Sequence, residues 1–506
     1  MDIINNVLYG FSIGLQPLNL LFCFFGVLLG TLIGVLPGIG PVGAISILLP
    51  ATFHMSPTSA IILLGGIYYG AMYGGSTTSI LVNIPGEAAS VVTCLDGYEM
   101  AKRGRAGSAL GVAAFGSFIA GTLGLFGLMF FAAPLAGAAL KFGYPEYFAI
   151  TLLGLTLIIY MAQGSLLKGL MMGLLGIILS CVGIDPVLGS GRMTFDVMDL
   201  ADGIGMVPLA MGLFGISEAL VNIDEQAGRT ILKTKIKNLF PSFSDWQMSR
   251  GPILRGSVLG FLLGVLPGGG PVIASFISYG LEKRLSGQPE RFGKGAIEGV
   301  AGPEAANNSA TSGALVPLFT LGIPANIVIA LLMGALVIHG MRPGPSFIKD
   351  HPDIFWGVLS SMYIGNVMLL VLNLPLVPMW VQVLRVPYRI LFPLILLFCL
   401  IGAYALNNNI FDIFMMVIFG LIGYLFRRFG FEGAPLILAF VLGPILELSL
   451  RQSLMLSRGS FTIFFTRPIS ACAVIIAFLV LGSSLVTTRL RRRKERVADP
   501  GTGEAP

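Results

Sequence analysis

Two short stretches of this chain crowd neutral, oxygen-bearing side chains into apolar surroundings. The first holds Ser76, Thr77, Thr78, Ser79 and, a little further on, Asn83. The second holds Asn307, Asn308, Ser309, Thr311 and Ser312, with Glu304 just ahead of them in "GPEAANN". One buried serine or threonine ordinarily bonds back to its own helix. A cluster beside glycines and helix breakers points instead to a ligand, and hydroxyls with amides suit an anion accompanied by cations. Asn83, Thr311, Ser312 and Glu304 are the candidates to hold Na⁺, and Glu304 can alternatively carry H⁺, because an intramembrane carboxylate is costly unless it does such work. Glu87 and Glu298 are weaker candidates, equally placed as residues at a membrane interface.

Other chemistry finds little support. The three histidines (His54, His339, His351) are far apart, and the five cysteines are scattered in apolar contexts without a CxxC. These read as span-end residues and small buried hydrophobes rather than metal ligands or disulfides. No Walker motif, nucleophile elbow or dinucleotide fingerprint occurs in a plausible context, and no nucleophile and base lie together at helical spacing. An enzyme is not expected, nor a resident cofactor. The connector between the segments (Asp185, Asp196, Asp199, Asp202) reads as solvated.

The elements that must position these residues follow from composition. Of 506 residues, 55% are hydrophobic and 11% charged, with mean hydropathy +0.87. Stretches such as 108–131, 354–380 and 468–488 carry few or no charges and reach the length that crosses about 30 Å of hydrocarbon. The expected class is an all-α polytopic membrane protein with about 11–12 transmembrane helices and two helical hairpins. The first Lys or Arg is Lys102, so a basic signal-peptide n-region is not expected. The net charge of +6 comes mainly from clusters at loops, and "RLRRRKER" at 489–496 follows an apolar span. That pattern reads as a cytoplasmic anchor in a lipid bilayer, not as nucleic-acid binding.

A repeat organises the chain. "GVLLGTLIGVLPGIGPV" (26–42) aligns with "GSVLGFLLGVLPGGGPV" (256–272) at 12 of 17 positions. Gly26, Gly30 and Gly34 match Gly256, Gly260 and Gly264, a spacing that puts a smooth stripe on one helix face. The helix then breaks at 37–41, which includes Gly38 and Gly40, and at 267–271, which includes Gly268 and Gly270. A second irregular stretch follows each copy, "GGSTTSILVNIPGE" (74–87) and "NNSATSGALVPLFTLGIPAN" (307–326), with spacings that differ by about six residues. Breaks in corresponding positions of two repeats point to a transport site, since bare backbone groups are tolerated in a membrane only where they line one.

Charge sets the expected topology. The flanks of the first break, 1–20 and 51–58, hold no Lys or Arg, whereas both flanks of the second are basic, from Arg229 to Arg255 and from Lys283 to Lys294. Two hairpins opening to opposite sides make an inverted repeat. The halves are 1–222, with its tip at 37–41 and a broken span near 74–87, and 256–488, with its tip at 267–271 and a broken span near 307–326. A basic cytoplasmic connector, 223–255, joins them, and 489–506 is a cytoplasmic tail. Arg451, Arg458 and Arg467 do not fit, since this count places them outside.

"GVLPGIGP", "GGSTTSILVNIPGEAAS", "GVLPGGGP" and "EGVAGPEAANNSATSGALVPLFTLGIP" together closely resemble the large membrane subunit of bacterial tripartite tricarboxylate transporters, the TctA family. The resemblance runs over roughly 20–480. It implies the translocating subunit of a secondary transporter in a bacterial inner membrane, working with a small four-helix membrane subunit and a periplasmic solute-binding protein. It implies a carboxylate substrate, such as citrate or another tricarboxylate, and uptake by symport with Na⁺ or H⁺. Gly38, Gly40, Gly268 and Gly270, with Ser76, Thr77, Thr78, Ser79, Asn307, Asn308 and Ser309, are then the expected substrate contacts. An uncoupled carboxylate permease or channel is the alternative.

Overall fold

The computed structural model describes residues 3–36, 40–161, 165–185, 187–224, 239–268, 270–383 and 388–482. Gly38 lies outside the described residues, with the rest of 37–39, Gly269, part of the basic connector (225–238) and the tail 489–506.

The described chain is helical almost throughout. In order it forms α1 (Ile3–Gly14), α2 (Pro17–Val35), α3 (Gly40–Leu48), α4 (Pro57–Val82), α5 (Val91–Lys102), α6 (Ala106–Ala139), α7 (Tyr144–Met161) and α8 (Leu166–Ser180). There follow α9 (Met206–Ala210), α10 (Ser217–Asp224), α11 (Phe243–Val265), α12 (Gly270–Leu285), α13 (Glu298–Leu321), α14 (Ile327–Ile338), α15 (Phe347–Asp350) and α16 (Pro352–Asn373). Last come α17 (Val377–Val383), α18 (Tyr388–Asn407), α19 (Ile410–Arg428), α20 (Gly433–Leu456) and α21 (Ile463–Thr466). Strand pairing among the described residues is confined to Gly183–Ile184 against Gly191–Arg192. Five helices, α2, α6, α16, α19 and α20, are long and apolar enough to cross a membrane. Their outward faces stay apolar: Phe126, Phe130, Val367, Val371, Phe414 and Leu421 are exposed. Such faces match a lipid solvent and mark an all-α polytopic membrane protein.

The chain forms two compact units. One comprises 1–141 and 182–429, the other 142–181 and 430–506. In the second, α20 packs on α7 and α8. There Arg451 pairs with Glu447 at 3.0 Å, and Arg467 pairs with Glu146 at 3.1 Å.

In the first unit the repeat becomes a packing rule. α2 lies along α4, and α11 lies along α13. Cβ atoms added to Gly26 and Gly30 would lie 2.5 Å from Leu63 O and 2.6 Å from Ile67 O, and one on Gly34 would overlap Ala71 O. Cβ atoms on Gly256, Gly260 and Gly264 would overlap the carbonyl oxygens of Gly302, Ala306 and Ala310 in the same way. Small residues thus let two backbones touch where lipid supplies no hydrophobic drive to hold helices together. The seams also fix the register of the copies. An offset of 239 positions carries Leu63, Ile67 and Ala71 onto Gly302, Ala306 and Ala310.

That register corrects the alignment expected from composition. The stretches 74–82 and 307–321 are not irregular; they are the C-terminal parts of α4 and α13. The true breaks are 83–90 and 322–326, and at this offset Ile84-Pro85 superposes on Ile323-Pro324. Asn83 (φ 60°, ψ 30°) then matches Gly322 (φ 69°, ψ 27°), and both end their helices in the left-handed conformation. Glu87 matches Asn326, and both accept a backbone N–H at the start of the next helical segment, from Ala89 and Ile329. Ser76–Ser79 fall opposite Leu315–Leu318, so the two hydroxyl-rich stretches are not counterparts. The mismatch of about six residues between them arises from that.

Two further expectations change. The apolar stretch 354–380 is not one helix: α16 ends at Asn373 and α17 starts afresh at Val377. Between α9 and α10 the chain takes a π-helical turn at Met211–Ile216, where Gly212 meets the backbone of Met416 and Gly420 on α19. Asp185 is not solvated. It is 1% exposed, accepts the N–H groups of Val187 and Leu188 at 2.7 and 3.0 Å, and pairs with Arg192 at 3.6 Å, holding the turn of the short strand pair.

Candidate polar seam between the repeats

Glu304 is the hub. It sits on α13, is 0% exposed, and faces α4 and α5. Ser76 Oγ donates to its Oε2 at 2.6 Å, Asn307 Nδ2 donates to the same oxygen at 3.2 Å, and Thr93 Oγ1 donates to Oε1. The donors are neutral, and no Lys, Arg or His stands among its described partners. Asn308 extends the network: its Nδ2 reaches Ser117 Oγ (2.7 Å), Asn307 Oδ1 (2.6 Å) and Glu304 O (3.1 Å). Side chains from both copies, together with α5 and α6, therefore meet at one buried carboxylate. In a low-dielectric interior such a group needs a proton or a cation.

The remaining expected site residues fall into separate places. Thr77 lines a narrow cavity beside Ser76. Thr78 Oγ1 donates to Val35 O at 2.7 Å, tying α4 to the end of α2 just before the first Pro-Gly break. Ser79 Oγ donates to Ser90 O at 3.0 Å, inside the first break. Ser309 Oγ donates to Ser257 O at 2.6 Å across the second seam. Thr311 bonds back to Asn308 O, and Ser312 packs against Gly124 of α6. Asn83 is exposed and serves as a helix cap.

The second Pro-Gly tip docks on the second break. Gly268 (φ 81°) donates its N–H to Ala325 O at 2.8 Å, and Gly270 (φ 48°) starts α12 beside Asn326. Asn326 Nδ2 in turn donates to Tyr68 Oη on α4 at 3.0 Å. In the first copy Gly40 (φ 63°) starts α3. Gly86 of the first break lies so close to Gly34 O that a Cβ would overlap it. Glu87 there is 8% exposed, whereas Glu298 pairs with Arg291 at 3.6 Å nearer the surface.

Sequence reasoning passed over Thr93, Asp96, Ser117, Tyr68, Asn326 and Asn373. Asp96 is fully buried one turn beyond Thr93. Its Oδ1 accepts the N–H groups of Gly293 (2.9 Å), Gly295 (2.7 Å) and Ala296 (2.8 Å), and its Oδ2 accepts Tyr279 Oη–H (2.9 Å). One face of α5 thus holds both Glu304 and the loop that leads into α13. Removing the charge with Asp96→Asn should destabilise the solubilised protein by about 2–3 kcal/mol, since hydrogen bonds to a charged acceptor are worth about 1.5–3 kcal/mol each. A thermal melt in detergent measures it; an unchanged melt would show that Asp96 does not clamp α5 to the loop before α13.

Together these features define a polytopic helical membrane protein whose glycine-seamed repeats enclose a polar seam. The chain matches the tripartite tricarboxylate transporter TctA family over residues 20–438, and it belongs to that family. A relative from Agrobacterium vitis, described as an uncharacterized 52.8 kDa protein in the TAR-I ttuC' 3'region, is 50% identical over 497 residues, 98% of this chain and 99% of the relative. A second, an uncharacterized protein in the TAR-II ttuC' 3'region of the same organism, is 50% identical over 238 residues, 47% of this chain and 98% of the relative. No solved structure matches.

Proposed function

We propose that this chain is the translocating subunit of an ion-gradient-driven importer of tricarboxylates or related carboxylates. Its substrate is delivered by a periplasmic solute-binding protein, and a small four-helix membrane subunit completes the assembly in the bacterial inner membrane. The observation that carries this reading is Glu304, a buried carboxylate held by neutral donors where two repeat copies meet. Membership of the tripartite tricarboxylate transporter TctA family supports a carboxylate as the transported class in this reading. In this reading the copies have inverted topology, the C-terminus is cytoplasmic, and a site near the midplane alternates in access. The ion pairs of Arg451 and Arg467 with Glu447 and Glu146 reduce the misfit of those arginines to the charge rule, because a paired arginine carries little net charge. Substrate carboxylates would be held by the Gly268–Gly270 tip and by the first tip, and the coupling ion, Na⁺ or H⁺, by Glu304 and the hydroxyls and amides around Ser76 and Asn308. The requirement for the binding protein is the distinguishing test. Proteoliposomes holding this chain and its small partner should accumulate radiolabelled citrate or another carboxylate only when the purified binding protein is added. Equal accumulation without it would reject the tripartite reading.

A further inference from the structure

Beside the Glu304 network lies a narrow cavity lined by Tyr73, Ser76 and Thr77 of α4, by Ser117 of α6, and by Asn373 at the end of α16. Leu110, Ala113 and Ala114 close its apolar side. It has room for about one water-sized occupant, so a carboxylate substrate does not fit. Asn373 is 4% exposed, and its Oδ1 has no hydrogen-bond partner among the described residues. The amide orientation is fixed, because Nδ2 donates to Leu369 O at 3.0 Å and a carbonyl can only accept. A buried carbonyl oxygen left without a donor is costly, so the arrangement calls for an electrophilic occupant.

Ser76, Ser117 and Tyr73 are disposed the same way. Ser76 turns its proton toward Glu304 Oε2 at 2.6 Å, leaving its oxygen lone pairs for the cavity. Ser117 Oγ accepts from Asn308 Nδ2 and is held against the Glu304 backbone. Tyr73 Oη spends its proton on Asn366 Oδ1 at 2.5 Å, and Asn366 is locked by Phe118 O and Thr122 Oγ1. Ser76, Ser117 and Tyr73 thus offer oxygen acceptors whose protons are already committed elsewhere. The carboxylate of Glu304 stands a single hydrogen bond behind Ser76. Oxygen ligands, small size and a nearby uncompensated carboxylate are what a dehydrated hard cation requires.

We infer that this cavity is a sodium site, formed by Ser76, Thr77, Ser117, Tyr73 and Asn373 and charge-balanced by Glu304 through Ser76. The inference deepens the proposed function and rests on its reading of the chain as an ion-coupled importer: the cation sits on α4 at the contact between the repeats, where its binding can be sensed by both copies.

The test is direct binding of radioactive sodium to the purified, full-length chain with its small partner. Asn373→Leu and the isosteric Thr77→Val should each raise the half-saturating sodium concentration about tenfold, the effect of losing about 1.4 kcal/mol of ligation. Thr77→Val keeps the shape of the side chain and so guards against a folding defect in the first variant. Unchanged binding in both folded variants would overturn the site while leaving coupled import standing. A wild-type protein that binds no sodium yet still needs a proton gradient for uptake would do the same, and the cavity would then hold a buried water only. Wild-type uptake that needs no gradient would instead overturn the coupled reading, even if sodium binds here.

Discussion

Glu304→Gln is expected to lower gradient-driven uptake by about 100-fold or more while the protein remains folded and still exchanges bound substrate. Glutamine preserves the volume and can keep hydrogen bonds with Ser76 and Thr93, so packing at this fully buried position is retained. What it removes is the charge. Bonds from neutral donors to a charged acceptor are worth about 1.5–3 kcal/mol, and loss of about 3 kcal/mol of cation or proton affinity corresponds to roughly two decades. Counterflow of labelled substrate across a membrane with no ion gradient separates the roles, because exchange does not require the empty carrier to reorient without its ion. Wild-type net uptake by Glu304→Gln would show that the carboxylate is structural only.

The second large effect concerns assembly. Gly260→Leu should prevent recovery of monodisperse protein. At that position even a Cβ overlaps the carbonyl of Ala306, and the neighbouring atom is backbone, so no rotamer change can relieve the clash. Overpacking typically costs about 1–3 kcal/mol and occasionally more, and this position should lie at the upper end because both neighbours are helix backbones. Gly30→Leu, the counterpart in the first copy, should behave alike, since its Cβ would lie 2.6 Å from Ile67 O. Gly137→Leu on α6 is the control, because nothing lies within 4 Å of the added atom. Fluorescence-detected size exclusion and a thermal melt measure all three. If Gly260→Leu elutes and melts like Gly137→Leu, the glycine seam is not what joins α11 to α13.

The contrast between these glycines shows what a single sequence reveals. The stripe of Gly26, Gly30 and Gly34 with its repeat at Gly256, Gly260 and Gly264 was readable, because close backbone approach admits only small residues at helical spacing. The membrane class was readable for a similar reason: few charges over long apolar runs leave little alternative. The register of the second helices was not. Similar composition in "GSTTS" and "NNSATS" suggested a pairing, while the determining feature was Ile84-Pro85 against Ile323-Pro324, where the chain turns at a left-handed cap. Glu304, Ser76, Asn307 and Asn308 were legible as polar residues out of place in an apolar chain. Ser117 and Asn373 are each a lone polar residue in an apolar stretch and Thr93 sits in the mixed sequence of α5, and only the crossing of α4, α5, α6, α13 and α16 brings them to the same place. Asn373, in "VLNLP", carried one signal that could have been used: an amide deep in an apolar run must find a partner or a ligand.

The central claim is that a cation gradient drives carboxylate import through the seam at Glu304. Its most direct test is initial uptake of radiolabelled tricarboxylate by proteoliposomes holding this chain and its small partner, with binding protein present, under an inward Na⁺ gradient, an inward H⁺ gradient and neither. The account predicts concentrative uptake under one of the two gradients, none without a gradient, and none under either gradient for Glu304→Gln. Equal rates in all three conditions would contradict it and leave an uncoupled permease.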